Sequence, residues 1–222
     1  RHILPTLPFL YMLAVSALKR WHESKTRENK NPEKVPFLPK LIVLGAVVWL
    51  GAETAFAAPH FLSYFNEIGG GKSGGYKFVT DSNYDWGQDL KALAQFVESR
   101  NDIGKIAVDY FGGGSPKYYI GDCEDNSRGR IRIAEGEKPE ARYSCAEPWW
   151  SARGNPKDLG LEWLAISVNS LQGAIQPTTN NFLRKPEDEY RWLSELRPRK
   201  AGFGELPQPD FRAGTSIFVY KL

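Results

Sequence analysis

A polar segment with three carboxylates is the part of this chain best suited to chemistry. It reads Asp81-Ser82-Asn83-Tyr84-Asp85-Trp86-Gly87-Gln88-Asp89. Oxygen side chains at alternate positions are typical of a calcium loop, but Trp86 stands where an EF-hand requires glycine, and Ala92 stands where it requires glutamate. The spacing therefore excludes an EF-hand. The one metal-binding interpretation that remains is a looser site for a divalent cation.

Two other interpretations of this segment remain open. In the first, its Asp and Asn side chains cap a helix that begins near Gly87. In the second, the segment forms a polar pocket in which carboxylates and an indole ring contact a sugar or a lipid headgroup. The residues that the second interpretation assigns to substrate binding are Asp81, Asn83, Asp85, Trp86, Asp89 and, in the preceding segment, Glu67.

Two glycine runs could approach a phosphate closely. Gly69-Gly70-Gly71-Lys72-Ser73 resembles the end of a P-loop, but Asn66 stands where the first glycine is required, so we interpret the run as a flexible turn. Gly112-Gly113-Gly114 follows a predicted strand, and its N–H groups could hold an anion such as a diphosphate. The alternative for this second run is a tight connection between a strand and a helix.

Other groups of residues in the sequence give weaker evidence for a binding site. Trp149 and Trp150 adjoin Arg153, which suits either contact with a carbohydrate or ordinary core packing. The sequence contains no recognisable Ser/His/Asp arrangement, no metal-binding cluster and no basic surface typical of nucleic-acid binding. We therefore predict no metal site among these residues and no nucleic-acid partner.

The secondary-structure elements predicted around these residues indicate an α/β domain over residues 75–222. Strands of a small sheet alternate with flanking helices, which favours a layered α/β arrangement. The predicted strands are 76–80, 105–111, 163–168 and 216–220, and the predicted helices are 87–100 and 187–196.

Cys123 and Cys145 are the only cysteines of the chain. In an oxidising compartment we expect a disulfide between them, which would close a loop of about 20 residues and contribute roughly 3 kcal/mol. Two unpaired thiols are the alternative, and no CxxC motif suggests zinc.

Two apolar runs precede this domain, at about residues 3–20 and 41–58. Runs of about 18 apolar residues approach the thickness of a bilayer, so we predict two transmembrane helices within residues 1–58. The basic loop between them predicts a cytoplasmic connection, which makes the C-terminal domain extracytoplasmic (periplasmic) at the inner or plasma membrane. Residues 59–74 are then a linker.

Alternatives to this topology also remain. Ala55-Phe56-Ala57 resembles a signal-peptide cleavage site, and short apolar runs can be buried core helices. Glu53 is a candidate intramembrane carboxylate. Because the chain starts at Arg1 beside an apolar run, we expect it to be a fragment with a transmembrane bundle upstream.

Several segments together resemble a known family. They are Arg1 to Pro5, Pro59-His60-Phe61-Leu62-Ser63-Tyr64-Phe65-Asn66-Glu67, the run from Asp81 to Leu90, Tyr110-Phe111-Gly112 with Tyr118-Tyr119, and Ser216 to Tyr220. In these the chain resembles the C-terminal region of bacterial GT-C membrane glycosyltransferases, the polyprenyl-phosphate-sugar-dependent enzymes similar to protein O-mannosyltransferases.

The resemblance implies a polyprenyl-phosphate-linked sugar donor, contact with membrane lipids, and sugar transfer on the extracytoplasmic side. It also implies an acidic catalytic residue in an outside loop upstream of this chain, so the catalytic residues here are unknown and no cofactor is firmly implied. The competing function is a membrane-anchored module that binds carbohydrate or lipid headgroups, or regulates, without catalysis.

Overall fold

The computed structural model describes residues 7–28, 37–124, 144–176, 185 and 189–222. The chain divides into two compact units, Arg1–Phe56 and Ala57–Leu222. Residues 59–74, predicted to be a linker, belong to the second unit. There Ser63 is almost completely buried and forms a hydrogen bond with Thr215, 2.7 Å between the two hydroxyl oxygens.

The first unit contains the helix α1 (Leu7–Glu28) and all but the last residue of the helix α2 (Phe37–Ala57). Helices therefore occupy both predicted apolar regions, and all side chains of α2 from 41 to 50 are exposed. Charged residues limit the apolar stretch of each helix, with Lys19 and Arg20 in α1 and Glu53 in α2. Within the described residues no helix is long and apolar enough to cross a membrane, so the prediction of two transmembrane helices is not supported.

The second unit is built on a five-stranded mixed sheet with the strand order β2-β1-β3-β5-β4. β1 is parallel to both β2 and β3, whereas β5 is antiparallel to β3 and to β4. The predicted α/β class of this domain is therefore confirmed. Its elements, in chain order, are α3 (Gly71–Gly74), α4 (Leu90–Ser99), β1 (Lys105–Asp109), α5 (Pro116–Ile120), β2 (Cys145–Pro148), β3 (Trp163–Ser167), α6 (Val168–Ile175), α7 (Arg191–Leu196), β4 (Phe211–Ala213) and β5 (Ile217–Lys221).

Two apolar cores cover the two faces of the sheet. α4 buries one stripe, formed by Leu90, Leu93, Ala94 and Val97, in the core that also receives Ile120 of α5. The opposite core contains side chains from α6 and α7, together with the rings of Tyr76 and Tyr84. All five residues of β3 are buried, as expected for a central strand that is covered on both faces.

The sequence-predicted strand at 76–80 is wrong, because this region begins with a 3-10 turn over Gly75–Lys77. A Cβ atom added at Gly75 would lie 2.2 Å from the ring of Phe65, so the backbone is packed too closely there for most residues. Tyr76 instead places its ring against Phe218, at 5.3 Å between centroids. The turn thus serves to bury an aromatic side chain rather than to extend the sheet.

Cys123 and Cys145, the predicted pair, are joined by a disulfide with a Cα–Cα distance of 5.0 Å. Cys145 is the first residue of β2, so the bond ties the segment after α5 to an edge of the sheet. Most of the loop that the disulfide closes lies outside the described residues.

Candidate functional site

The carboxyl ends of β1 and β3 lie side by side at the position where α/β sheets usually bind ligands. β1 is followed by α5, which packs on the same face as α4, whereas β3 is followed by α6 on the opposite face. Because the chain leaves these two neighbouring parallel strands toward opposite faces of the sheet, the carboxyl ends of β1 and β3 form a topological switch point. The loops are tied together by the Phe111 N–H, which donates to Ser167 Oγ at 2.9 Å.

Residues 81–89 lie against this edge of the sheet. The Tyr110 hydroxyl, just after β1, donates a hydrogen bond to the Gly87 carbonyl at 2.8 Å. The Asp81 N–H donates to Asn169 Oδ1, in the first turn of α6, also at 2.8 Å. The predicted polar segment therefore bridges the ends of both strands, beside the glycine run 112–114.

The close approach of the two loops depends on glycine. Gly87 has a positive φ of 75°, and a Cβ atom there would lie 2.1 Å from the Tyr110 hydroxyl and 2.9 Å from the Gly112 Cα. We expect Gly87→Ala to lower the free energy of unfolding by about 2 kcal/mol or more, through backbone strain and loss of this contact. Urea denaturation followed by tryptophan fluorescence measures the change.

Gly113→Ala is the matched control for this substitution. A Cβ atom at Gly113 has no neighbour within 4 Å, and its φ is not positive. The control should change stability by less than about 0.5 kcal/mol. Equal losses of stability in Gly87→Ala and Gly113→Ala would contradict the conclusion that the close approach of Gly87 to Gly112 requires glycine.

Asp85 is the most unusual carboxylate of the segment. It is only 1% exposed; its Oδ1 accepts the Gly87 N–H at 2.8 Å, and its Oδ2 has no hydrogen-bond partner among the described residues. Burial raises the pKa of Asp85 to about 6, and the Gly87 N–H opposes this shift because its hydrogen bond stabilises the charged form. A carboxyl group with this pKa can accept or donate a proton near neutral pH.

Asp89 has a different role, because its carboxylate holds the turn between β4 and β5. Its Oδ2 accepts hydrogen bonds from the Thr215 N–H, the Thr215 hydroxyl and the Ser216 N–H, at 2.6, 3.0 and 2.7 Å. The side chain does not cap α4, although Asp89 occupies the N-cap position of that helix. Its predicted role in substrate binding stays a prediction.

The segment after α2 also reaches this cluster. The Nδ1 atom of His60 lies 3.9 Å from Asp89 Oδ1. Ser63, three residues later, contacts the hydroxyl of Thr215, which also donates to Asp89. Sequence analysis did not assign Thr215 or Ser216 to the site, because they lie more than 120 residues from Asp89 along the chain. Ser216 was marked only as the start of a predicted strand and of one segment of the family resemblance.

The remaining predicted residues are exposed. Asp81 and Asn83 belong to a 3-10 turn, and Glu67 begins another turn that Asn66 caps. Trp86 is 54% exposed, and its Nε1 donates to the Ser82 carbonyl at 2.7 Å. The structure thus brings the residues of 81–89 to one edge of the sheet, whereas Glu67 lies in a separate turn of the same unit.

The two adjacent tryptophans beside Arg153 differ in their burial. Trp149 is buried, whereas Trp150 is 54% exposed, and the Arg153 guanidinium lies 4.4 and 5.2 Å from their ring centroids. One tryptophan therefore packs in the core and the other remains available at the surface.

Among the described residues, no group of three or more His, Cys, Asp or Glu side chains could hold a metal ion.

Comparison of the chain with protein-family models, curated proteins and solved structures gives no match.

Proposed function

We propose that this chain is the C-terminal portion of an integral membrane glycosyltransferase that transfers a sugar from a polyprenyl-phosphate donor to an extracytoplasmic acceptor. One observation carries the proposal: segments of the family resemblance that are far apart in sequence meet at one cluster. His60 lies near Asp89, Tyr110 holds Gly87, and Ser216 donates to Asp89. Such convergence is expected when separate motifs serve one site.

The proposed role of this unit is to support a catalytic centre that lies upstream in the complete protein. There a carboxylate would deprotonate or orient the acceptor while the acceptor oxygen attacks the anomeric carbon and the lipid phosphate leaves. Asp85, with its raised pKa, is the described carboxylate best suited to assist. The exposed apolar side chains of α2 favour apolar surroundings, which the upstream bundle and membrane lipids would supply in this proposal.

The proposal is tested with the complete protein purified in detergent and a polyprenyl-phosphate-linked hexose. We expect the complete protein, given a membrane extract as the acceptor source, to release polyprenyl phosphate. The chain 1–222 alone should not do so, because the catalytic loop is expected upstream. Transfer by the isolated chain, or no release by the complete protein across a panel of sugar donors, would overturn the proposal.

A non-catalytic module that binds carbohydrate or lipid headgroups is the second candidate. It is favoured by the exposed ring of Trp150 beside the Arg153 guanidinium, since an aromatic face with a polar neighbour suits a sugar. The upstream reading frame separates the two candidates. A multi-span protein with an acidic residue in its first outside loop supports the transferase, whereas a start codon just before Arg1 supports the module.

A further inference from the structure

A basic pocket lies in the second unit, apart from the residues assigned above. Its volume is about 350 Å³, within the range of small-molecule sites in proteins. One wall comes from the glycine run at 70–74, and another comes from residues 200–208. The side chains that give the pocket its charge are Lys77, Lys200, Glu205 and Arg212.

The pocket carries an excess of positive charge. The ammonium of Lys77 pairs with the Glu205 carboxylate at 2.5 Å, which neutralises the only acidic side chain in the lining. Lys200 and Arg212 form no ion pair with any described residue. A concave site with two uncompensated cations attracts an anion more strongly than a flat surface does.

Arg212 is held in place by its surroundings. Its Nη1 donates to the Ser73 carbonyl at 3.0 Å, and its guanidinium lies 4.6 Å from the ring centroid of Phe218 and 5.6 Å from that of Tyr76. One N–H is therefore occupied, and others remain in a fixed plane. A positioned guanidinium fork matches the oxygen atoms of a phosphate, which it can bind through two parallel hydrogen bonds.

The walls are backbone segments that come unusually close to their neighbours. Gly70 has a φ of 83°, and a Cβ atom there would lie 2.9 Å from the Gly74 Cα. At Gly204 a Cβ atom would lie 2.3 Å from the Lys77 carbonyl oxygen. The run 69–73, interpreted from the sequence as a flexible turn, is therefore a folded part of the pocket wall.

A buried side chain fixes the two walls to each other. Gln172 is 4% exposed, and its Nε2 donates to the Tyr76 carbonyl at 2.6 Å and to the Gly204 carbonyl at 3.3 Å. The pocket is thus formed before any ligand binds, so little ordering cost opposes binding.

From this charge and geometry we infer that the pocket binds the phosphate group of a phosphate ester or diphosphate, with Arg212 and Lys200 as its ligands. The inference goes beyond the proposed transferase activity and does not require it, because every residue that lines the pocket lies in the second unit of this chain. The phosphate could belong to a lipid headgroup or to a soluble molecule, and the two sources share the same recognition chemistry.

The test uses the full chain 1–222 in neutral detergent, with inorganic pyrophosphate titrated by calorimetry. We expect binding of one pyrophosphate per chain, weakened by salt. Lys200→Gln and Arg212→Lys should each lower the affinity about tenfold, the second because it keeps the charge but loses the fork. Lys157→Gln removes an exposed charge outside the pocket lining and should leave the affinity unchanged.

A second arm distinguishes the two sources of phosphate. Flotation with phosphatidylcholine vesicles, with and without phosphatidic acid, measures binding to a membrane phosphomonoester above the neutral-lipid baseline. A gain with phosphatidic acid that Lys200→Gln abolishes assigns the pocket to a lipid headgroup, and pyrophosphate binding without this gain assigns it to a soluble phosphate. No binding in either arm, or an equal loss in Lys157→Gln and Lys200→Gln, overturns the inference. Thermal melts of each variant confirm that it remains folded.

Discussion

Replacing Asp89 by alanine is expected to lower the free energy of unfolding of the second unit by about 4 kcal/mol. The substitution removes the acceptor of three hydrogen bonds and leaves the N–H groups of Thr215 and Ser216 buried without a partner. Each orphaned buried donor costs about 1–3 kcal/mol, and the removed carboxylate leaves a cavity as well. Urea denaturation at neutral pH measures the loss.

Two control variants separate the hydrogen bonds from the charge and from general effects of alanine. Asp89→Asn keeps an oxygen at the position of Oδ2 and should recover more than half of the stability that Asp89→Ala loses. Asp158→Ala removes an exposed carboxylate in another turn and should change stability by less than about 0.5 kcal/mol. A loss below about 1 kcal/mol for Asp89→Ala would show that the turn between β4 and β5 does not depend on this carboxylate.

The central strands were predictable because their sequences are nearly uninterrupted apolar runs. β1, β3 and β5 begin and end within one to two residues of their predicted bounds. The edge strands were not predictable from such runs. β2 contains Glu147 and ends at Pro148, whereas β4 has only three residues and includes Arg212. Edge strands tolerate charges and proline because one side of the strand lacks a neighbour.

The candidate site was only partly predictable for a related reason. The polar character of residues 81–89 is visible in the sequence, but the partners of Asp89 are fixed by the closing hairpin, more than 120 residues later. The burial of Asp85 also depends on tertiary packing. The same packing decides that Asp89 Oδ2 accepts hydrogen bonds from the turn between β4 and β5, whereas Asp85 Oδ2 has no hydrogen-bond partner among the described residues. Local patterns identify which side chains could react, whereas tertiary contacts decide which of them are already occupied.

Asp85→Asn is expected to raise stability at neutral pH, the opposite of the effect at Asp89. The folded pKa of Asp85, about 6, lies above the ordinary value of 3.8, because burial disfavours the charged form. The unfolded chain therefore releases this proton first as the pH rises, and the wild-type protein loses stability between about pH 4 and pH 6. Asparagine carries no charge, so this loss should disappear, leaving the variant more stable by about 2 kcal/mol at pH 7.5.

Urea denaturation of both proteins between pH 4 and pH 8 measures this difference. Asp89 is the nearby acidic group that adds to the repulsion at Asp85, and it is present in both proteins. Asp158→Asn, at an exposed position, should reproduce the pH dependence of the wild type. If the wild type and Asp85→Asn lose stability equally across this range, the Asp85 carboxylate is not held in a buried, proton-favouring environment.

The same variant also tests the proposed function, since a buried carboxylate that destabilises its own fold requires another reason to be kept. If Asp85 assists sugar transfer, Asp85→Asn in the complete protein should lower the transfer rate about tenfold or more, although the protein is more stable. Asp158→Asn, which removes an exposed carboxylate in another turn, serves as the activity control. Unchanged transfer by a stabilised Asp85→Asn protein would exclude this carboxylate from the reaction. A lower rate combined with higher stability is the pattern that a purely structural residue does not produce.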